Sequence, residues 1–349
     1  PITAAIHDTP AARHRLAEML AGEQGRFDAI VLDQLGSGWA LAKIKRWISL
    51  SRRANPDFKA PALIYLAHNH ERVVWSDMAR DASGSWPRRL AVRSNASKVA
   101  RLEAQLLRDV DQVICITDED ANALVADGLC RRPLVITPGY AAEPAPPRSI
   151  TQATGRRVVM VGSFKWAIKE ENLRQFVALA DPAFARHNIR FDVIGKVPEP
   201  LRRSLQPKLR ATKLHGFVQN TEPLFSNARM AVVPEQIGGG FKLKVLDYIF
   251  GRMPVATIEA AAAGLPESVK DHLLKASDLR HLVDTIVANI DHYDRLNSMQ
   301  AGALEQAQGA FQWEHRGELV REAIDLAVLG ATRAQTIEGP AGDPLRQSG

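Results

Sequence analysis

The chain has 349 residues, of which 46% are hydrophobic and 24% charged, and its formal net charge is +6. This length predicts two domains, and the composition excludes a disordered chain because enough apolar side chains are present to form cores. The two cysteines, Cys115 and Cys130, exclude a disulfide framework and favour a reducing, cytoplasmic setting. No apolar run is long enough to span a bilayer. The mild basicity suits anionic ligands, anionic membranes or nucleic acid without choosing among them.

Short apolar runs alternate with helical patterns in the first half of the chain. An amphipathic helix is expected over Lys98–Arg108, and Asp118–Gly128 has the acidic first turn and terminal glycine that are typical of a helix. The runs that predict strands are Phe27–Gly36, Ala60–His70, Val110–Thr117 and Pro133–Gly139. Strands separated by helices predict parallel βαβ units.

A second set of alternating elements follows a segment rich in proline, alanine and threonine, Tyr140–Arg157, which is interpreted as a linker. Strands are predicted at Arg157–Phe164, Ile189–Lys196, Lys213–Val218 and Ala228–Glu235, with another at Met253–Thr257. The sequence therefore predicts an α/β protein with two doubly wound, Rossmann-like domains, at residues 1–150 and 151–332. The last helix, at about 311–330, is expected to pack back toward the N-terminal domain, and residues 333–349 are expected to form a loose tail.

Glycines follow several predicted strands of the second domain. Gly162, Gly195, Gly216 and the run Gly238–Gly240 all stand where strands end. Open α/β sheets bind ligands at the carboxyl ends of their strands, so together these glycines indicate a binding crevice. Each glycine taken alone is equally explained by a tight turn between a strand and a helix.

The glycine run precedes a predicted helix that begins near Gly240 and carries Lys242, Lys244 and Asp247. Helix N-termini favour anions, so two lysines there oppose the helix dipole unless a negatively charged ligand offsets them. The alternative is a turn with solvated lysines and a surface pair between Lys244 and Asp247. The segment is not a Walker motif, because no Gly-Lys-Ser/Thr follows.

Several motifs of the second half resemble, in sequence and order, the donor-binding half of family 4 (group 1) glycosyltransferases of the GT-B fold. They are VGSFKWAIKEENLRQFV, FDVIGK, LHGFVQNTEPLFSNARMAVVP and IGGGFKLKVLDYIFGRMPVAT. The first half is similar more loosely, through VLDQL, LAHNHERVVW, VICITDEDANALV and ITPG. The resemblance implies two Rossmann-like domains that face a cleft. It also implies an initial strand with a glycine-rich loop, which the sequence before Phe27 does not show.

The resemblance implies that the second domain binds a nucleotide-diphosphate sugar. The backbone around Phe217 and Val218 would hold the base, and Asp247 would accept hydrogen bonds from the ribose. The phosphates and sugar would meet two groups of residues: Gly162, Ser163, Phe164 and Lys165, and then Gly238, Gly239, Gly240, Phe241, Lys242 and Lys244. The family often carries two glutamates eight positions apart, whereas Gly239 and Asp247 stand at these places here, with Glu235 nearby but out of register.

His68 follows a predicted strand of the first domain, and the resemblance implies that it acts as a catalytic residue near the donor sugar. A histidine there can donate a hydrogen bond or move a proton near neutral pH. From the residues alone, a structural histidine at the end of a strand is equally compatible. His68 and His70 could share a metal ion, but no third ligand is apparent, so no metal site is predicted.

Basic residues stand beside apolar ones at Ala42–Arg53, around Trp47 and Ile48, and at Ser85–Arg101, around Trp86 and Leu90. This pattern suits an anionic membrane surface and a lipid-linked acceptor, although ordinary amphipathic helices with solvated basic faces would show it too. No nucleic-acid-binding motif accompanies the charge, so no nucleic-acid partner is predicted.

The resemblance thus implies a metal-independent enzyme that needs no cofactor. It would transfer a sugar, with retention of configuration, from a nucleotide-diphosphate sugar to a hydroxyl of a glycan or lipid-linked acceptor. The expected location is the cytoplasm, at the inner face of the membrane. The alternatives are a nucleotide-sugar epimerase of the same fold, which would need more carboxylates, and a catalytically silent nucleotide-binding protein.

Overall fold

The computed structural model describes residues 1–22, 27–80 and 85–337, and the chain divides into two compact units. The first unit contains Pro1–Ile136 together with the segment from Gly317 onward, and the second contains Thr137–Arg316. The boundary therefore lies between residues 136 and 137 instead of near residue 150. Each unit is built on one parallel sheet, as the alternating strand and helix patterns predict.

The first unit has a four-stranded sheet in the order β1-β2-β3-β4. Its strands are β1 (Ala29–Asp33), β2 (Ala62–Ala67), β3 (Gln112–Cys115) and β4 (Leu134–Val135). Its helices are α1 (Ile2–Ala5), α2 (Pro10–Ala21), α3 (Leu41–Ala54), α4 (Glu71–Arg80), α5 (Trp86–Asp109) and α6 (Asp118–Ala126), with a 3₁₀ helix at Leu35–Ala40. The described residues before β1 contain only helices, so the initial strand that the resemblance implies is not found among them.

The last helix, α14 (Trp313–Ile337), covers one face of this first sheet. Its small residues Ala323, Ala327 and Ala331 recur every four positions and pack against apolar side chains of the strands, such as Ile64 and Ile114. The helix is longer than the predicted 311–330. It includes residues 333–337, which the sequence placed in a loose tail, and the rest of that tail lies outside the described residues.

The second unit has a six-stranded sheet in the order β10-β9-β8-β5-β6-β7. Its strands are β5 (Arg157–Val161), β6 (Arg190–Ile194), β7 (Thr212–Gly216), β8 (Met230–Val233), β9 (Val255–Ile258) and β10 (Leu274–Ala276). Its helices are α7 (Ala167–Arg186), α8 (Glu199–Leu205), α9 (Glu222–Ser226), α10 (Leu243–Phe250), α11 (Glu267–Lys270), α12 (Leu279–Asn289) and α13 (Tyr293–Gln308), with 3₁₀ helices at Gln206–Lys208 and Glu259–Ala262. Strand β10 was not predicted, because its three residues include a lysine and show no periodicity.

The proline-rich segment after Tyr140 packs on the second unit instead of linking two domains. Ile150 is buried in its core. The Arg148 guanidinium donates to the carbonyl oxygens of Phe225 and Ala228, and Asn297 bonds both backbone groups of Ile150. These long-range bonds have no local sequence signature. They explain why the compositional boundary near residue 150 differs from the structural one.

Candidate functional site

The carboxyl ends of strands β5, β6 and β7 are joined through glycines. The amide of Gly162 donates to the carbonyl of Ile194 at 2.9 Å, and the amide of Gly195 donates to the carbonyl of Gly216 at 2.7 Å. Gly195 has φ +128° and lies so close to Gly162 that an added Cβ would overlap the Gly162 carbonyl oxygen. The predicted glycines at the strand ends are therefore brought together. At Gly195, close packing of two turns requires the glycine.

The loop after β5 exposes only part of the predicted Gly162–Lys165 group. Ser163 and Lys165 are exposed, but the Phe164 side chain is buried in the core of the unit, and its amide donates to the Lys196 carbonyl at 3.1 Å. Phe164 therefore offers no side chain to a ligand. Trp166, two residues after Phe164 and immediately before α7, is 66% exposed.

The turn after β7 presents an aromatic ring to solvent. Phe217 is 72% exposed, and the Lys196 ammonium lies 6.0 Å from the centre of its ring. Below this turn is a cavity of about 410 Å³ whose lining includes Lys165, Lys196 and Gly216. Val218, the other residue predicted to meet the base, is half-buried. The geometry allows both a flat ring contact and backbone contacts at this strand end.

The glycine segment after β8 is a loop that wraps around a lysine. Gly238 and Gly240 have φ +113° and +73°. The Lys242 ammonium donates to the carbonyl oxygens of Gly238 at 3.3 Å, Gly240 at 3.2 Å, and also Gly239. Helix α10 begins at Leu243, later than the predicted start near Gly240, because this loop occupies the intervening residues. Phe241 is half-buried, with its ring 5.7 Å from that of Phe311.

Asn172, near the start of α7, holds the segment just before the glycines. Its side-chain oxygen accepts from the amides of Gln236 and Ile237, and its amide nitrogen donates to the Ile237 carbonyl at 2.8 Å. Asn172 is 1% exposed, so these bonds are shielded from water. The loop is thereby fixed to the helix that follows β5.

Glu235 lies at the centre of a group of lysines at the end of β8. Its Oε1 lies 2.5 Å from the Lys244 ammonium, and both side chains are largely buried. Burial alone would raise the pKa of Glu235, but Lys244, with smaller contributions from Lys242 and Lys169, lowers it below its ordinary value. The surface pair of Lys244 with Asp247, which belonged to the alternative interpretation, is not formed, because Lys244 turns toward Glu235.

Asp247 on α10 accepts a hydrogen bond from Tyr140. The Tyr140 hydroxyl lies 2.6 Å from Asp247 Oδ1, and the Tyr140 ring packs 4.7 Å from that of Phe250. Burial, together with this bond to the carboxylate, raises the pKa of Tyr140 well above its ordinary range. The hydroxyl therefore remains a donor, and it occupies one of the two carboxylate oxygens of Asp247.

In the first unit, His68 forms a pair with Asp33 at the carboxyl edge of the sheet. His68 Nε2 lies 2.7 Å from Asp33 Oδ1, and both side chains are partly exposed. Asp33 ends β1, and His68 follows β2, its parallel neighbour, so the pairing of the strands brings them together. A carboxylate on one ring nitrogen orients the imidazole and leaves the other nitrogen to meet a ligand.

His70 points into the unit and is 2% exposed. Its ring lies 3.4 Å from Asp127 and 3.8 Å from Glu103, and its backbone amide donates to Asp120. Glu103 accepts from the amides of Glu71 and Arg72 at the start of α4, and burial raises its pKa to about 7. His70 therefore belongs to a buried structural cluster. Among the described residues, no group of His, Cys, Asp and Glu could hold a metal ion.

The two basic helices expose different parts of the predicted membrane surface. On α3, Trp47 packs edge-on against Phe58, at 5.4 Å between ring centres, and Lys45 pairs with Asp109 at 2.9 Å. On α5, Trp86 and Leu90 are 69% and 58% exposed. Both helices therefore keep exposed apolar residues beside basic ones, namely Leu50 (52% exposed) on α3 and the pair of Trp86 and Leu90 on α5, and the α5 surface is the more apolar of the two. Within the described ranges, no helix has the length and apolar character needed to cross a bilayer.

Comparisons with known proteins agree with this architecture. Residues 155–292 match the sequence model of a family described as glycosyl transferases group 1. The resemblance predicted for the second half of the chain is confirmed over this segment, which contains the glycine-joined strand ends and the lysine group. A comparison with curated protein sequences finds no significant match.

Solved structures share the fold at low sequence identity. The chain is similar to the crystal structure of TarM, with a TM-score of 0.62 and 13% identity, covering 86% of this chain and 56% of that one. The S. aureus TarM mutant in complex with fondaparinux, alpha-GlcNAc-glycerol and UDP gives 0.59 and 13%, covering 83% of this chain and 58% of that one. This chain thus spans little more than half the length of TarM.

A third similar structure is matched over a larger share of its own length. HepE from Anabaena, in complex with UDP and glucose, has a TM-score of 0.62 and 14% identity, and the match covers 93% of this chain and 83% of HepE. These likenesses confirm the predicted fold class, an α/β protein of GT-B type with two parallel sheets.

Several residues of the site were not predicted from the sequence, namely Asp33, Tyr140, Lys169 and Asn172. Asp33 stands at a predicted strand end, as His68 does, and that shared position was a usable signal. Lys169 and Asn172 lie in the first and second turns of α7, where they look like ordinary helix residues. Tyr140 reaches its partner across 107 positions of sequence, a separation that no local pattern reveals.

Proposed function

We propose that the protein is a glycosyltransferase that transfers a sugar from a UDP-sugar to a hydroxyl group of a glycan or lipid-linked acceptor. The observation that carries the proposal is the group of Lys169, Lys242 and Lys244 around Glu235, beside glycine-joined strand ends in the segment that matches the family. The complexes of TarM and HepE with UDP support the choice of base. The glucose bound to HepE supports a hexose as the transferred sugar.

The second unit would bind the donor through charge and backbone. Lys244 and Lys169 would contact the diphosphate, with amides of the Gly238–Gly240 loop beside them, and would stabilise the charge that develops on the leaving UDP. Lysines in this role replace the divalent cation that other transferases use, so the proposal is a metal-independent reaction with no cofactor. Phe217 and Val218 would meet the uracil, and the free oxygen of Asp247 would accept from the ribose.

His68 is assigned the catalytic role in the first unit. With Asp33 accepting from Nε2, Nδ1 would accept a hydrogen bond from a hydroxyl of the donor sugar, or take up a proton and pass it on during transfer. The resemblance supports a transfer that retains the anomeric configuration. An epimerase would need more carboxylates in the site. Glu235, the carboxylate among the lysines, is already paired with Lys244, so these residues fit sugar transfer better than epimerisation.

The substitution Lys244→Ala is expected to weaken UDP binding by on the order of 1–3 kcal/mol, which is the contribution of a lost charge-assisted contact. Isothermal titration calorimetry with UDP measures this directly. Lys244→Ala also leaves Glu235 buried without its partner, so part of any loss could come from the carboxylate.

The double variant Lys244→Ala/Glu235→Gln separates the two effects. It removes the buried charge, so its melting temperature should recover relative to Lys244→Ala, while its UDP affinity should stay low. If the double variant binds UDP as tightly as the unchanged chain, Lys244 serves only to neutralise Glu235, and its assignment to the diphosphate is wrong.

We also propose that the protein contacts an anionic membrane surface through the start of α5, where it would reach a lipid-linked acceptor from the cytoplasmic side. Trp86 and Leu90 are exposed there beside Arg88, Arg89 and Arg93. Each basic residue near an anionic leaflet contributes about 1 kcal/mol, and salt screens the effect within a Debye length. This surface is the more apolar part of the wider one predicted from both basic helices.

Sedimentation with liposomes tests the contact. The protein should pellet with anionic vesicles at low salt, remain in solution with neutral vesicles, and be released as salt rises. Replacing Arg88, Arg89 and Arg93 with glutamine should abolish pelleting. The matched control replaces Arg46, Arg52 and Arg53 of α3, which changes the net charge equally, and it should still pellet. Equal pelleting with both kinds of vesicle would rule out the electrostatic contact.

A further inference from the structure

A basic cavity lies at the opposite edge of the second sheet from the candidate donor site. It has a volume of about 670 Å³, and its lining includes Arg157, Arg190, Asp192, Arg210 and Lys213. These residues stand at or near the amino ends of β5, β6 and β7, whereas the glycines stand at the carboxyl ends. Strands of five residues separate the two edges by about 15 Å, so a single small ligand would not occupy both.

One carboxylate anchors the floor of this cavity. Asp192 is 1% exposed, and its two oxygens are taken by Arg157 at 3.1 Å and by His215 Nε2 at 2.6 Å. The three side chains come from adjacent strands of one face of the sheet. Because Asp192 is already bonded by two groups, it holds the Arg157 guanidinium in place and leaves the other cations of the cavity unneutralised.

The arrangement of the cationic side chains in this cavity lowers the stability of the folded unit. Arg157 and Arg190 are directly opposite in the register of β5 and β6, and like charges in that arrangement destabilise a sheet. Within the described residues, Arg190, Arg210 and Lys213 form no ion pair. The lining therefore contains four cationic side chains against a single carboxylate. A bound anion would relieve their repulsion.

We infer that this cavity is a binding site for a small, multiply charged phosphate compound, separate from the donor site. Guanidinium groups bind phosphate oxygens through two parallel hydrogen bonds, and three arginines line this cavity. The volume is within the range of small-molecule sites. The residues of this cavity take no part in the proposed transferase activity, so the two proposals can be tested independently.

Calorimetric titration of the full chain with tripolyphosphate, at low salt and in the presence of saturating UDP, tests the site. The cavity should bind tripolyphosphate while UDP is present. The variant Arg190→Ala/Lys213→Ala should weaken this binding at least tenfold, because each lost cation removes a charge-assisted contact. Titration without UDP shows whether tripolyphosphate has a second site that UDP blocks.

The matched control is Lys98→Ala/Arg101→Ala, which removes two exposed cations of α5 in the other unit and should bind tripolyphosphate normally. A second readout is the melting temperature without ligand. Arg190→Ala should equal or exceed the unchanged chain, because it removes a like-charge pair. Unchanged tripolyphosphate binding in the double variant, an equal loss in the control, or complete competition by UDP would overturn the inference.

Discussion

Replacing Gly195 with alanine is expected to destabilise the second unit by on the order of 3–5 kcal/mol, combining strained backbone with overpacking. The added Cβ would overlap the carbonyl oxygen of Gly162, and φ at Gly195 is +128°, a conformation that residues with a side chain rarely adopt. Neither backbone can move freely, because the amides of Gly162 and Gly195 are bonded to neighbouring strand ends. Thermal unfolding followed by circular dichroism should show the loss.

Two other glycines serve as matched controls for this substitution. Gly216 has φ +75° but nothing within 4 Å of an added Cβ, so Gly216→Ala should cost only about 1–2 kcal/mol of backbone strain. Gly309 has neither a positive φ nor a close neighbour, and Gly309→Ala should be close to neutral. Equal melting temperatures for all three variants would show that the strand-end turns are not closely packed. A soluble Gly195→Ala protein should also bind UDP weakly.

The substitution His68→Ala is expected to slow sugar transfer by about 10²–10⁴-fold, the range for loss of a positioned acid or base. The effect on stability should be small, because the pair with Asp33 is exposed on both sides. The rate is measured as UDP released from a UDP-sugar, and the melting temperature is measured on the same preparation.

Asp33→Asn tests the same dyad from the other side. The amide keeps a hydrogen-bonding group beside His68 but loses the charge, so transfer should slow less than in His68→Ala, with UDP affinity unchanged. A His68→Ala protein with normal specific activity and a much lower melting temperature would make His68 a structural residue.

The sequence was a good guide to elements whose signals are local. Nine of the ten strands in the described part of the chain were predicted, because most of them are short apolar runs that end in a glycine, a proline or a polar residue. Parallel pairing followed from the alternation of strands with helices. The glycines at the strand ends were recognised because all parallel strands of one sheet end at one edge, and that rule also suggested the position of the ligand site.

Features that depend on distant contacts were predicted poorly. The compositional linker is held by Arg148, Ile150 and Tyr140 against the second unit, so its proline content did not mark the boundary. The alternative interpretation paired Lys244 with Asp247, because a separation of three residues suits a helix. In the structure the buried Glu235 carboxylate, nine positions before Lys244, attracts it more strongly than a solvated partner would.

The acidic residues of the site were predicted only in part. Gly239 and Asp247 were compared with the family's pair of glutamates, which left the first glutamate without a counterpart. In the structure, the carboxylate of Glu235 lies among three lysines near the same loop. A position-by-position comparison with the family's glutamates could not find this group, because Glu235 is out of register with them. Asp33 was missed although it stands at a predicted strand end, because its contact with His68 also requires β1 to pair with β2.

The decisive measurement is the release of UDP from UDP-glucose in the presence and absence of glycan and lipid-linked acceptors. We expect UDP binding and acceptor-dependent release of UDP, with the sugar recovered on the acceptor and without added divalent metal. Binding of UDP without release from any UDP-sugar would mark a silent nucleotide-binding protein. Absence of UDP binding altogether would contradict the assignment of the lysine group to the donor diphosphate.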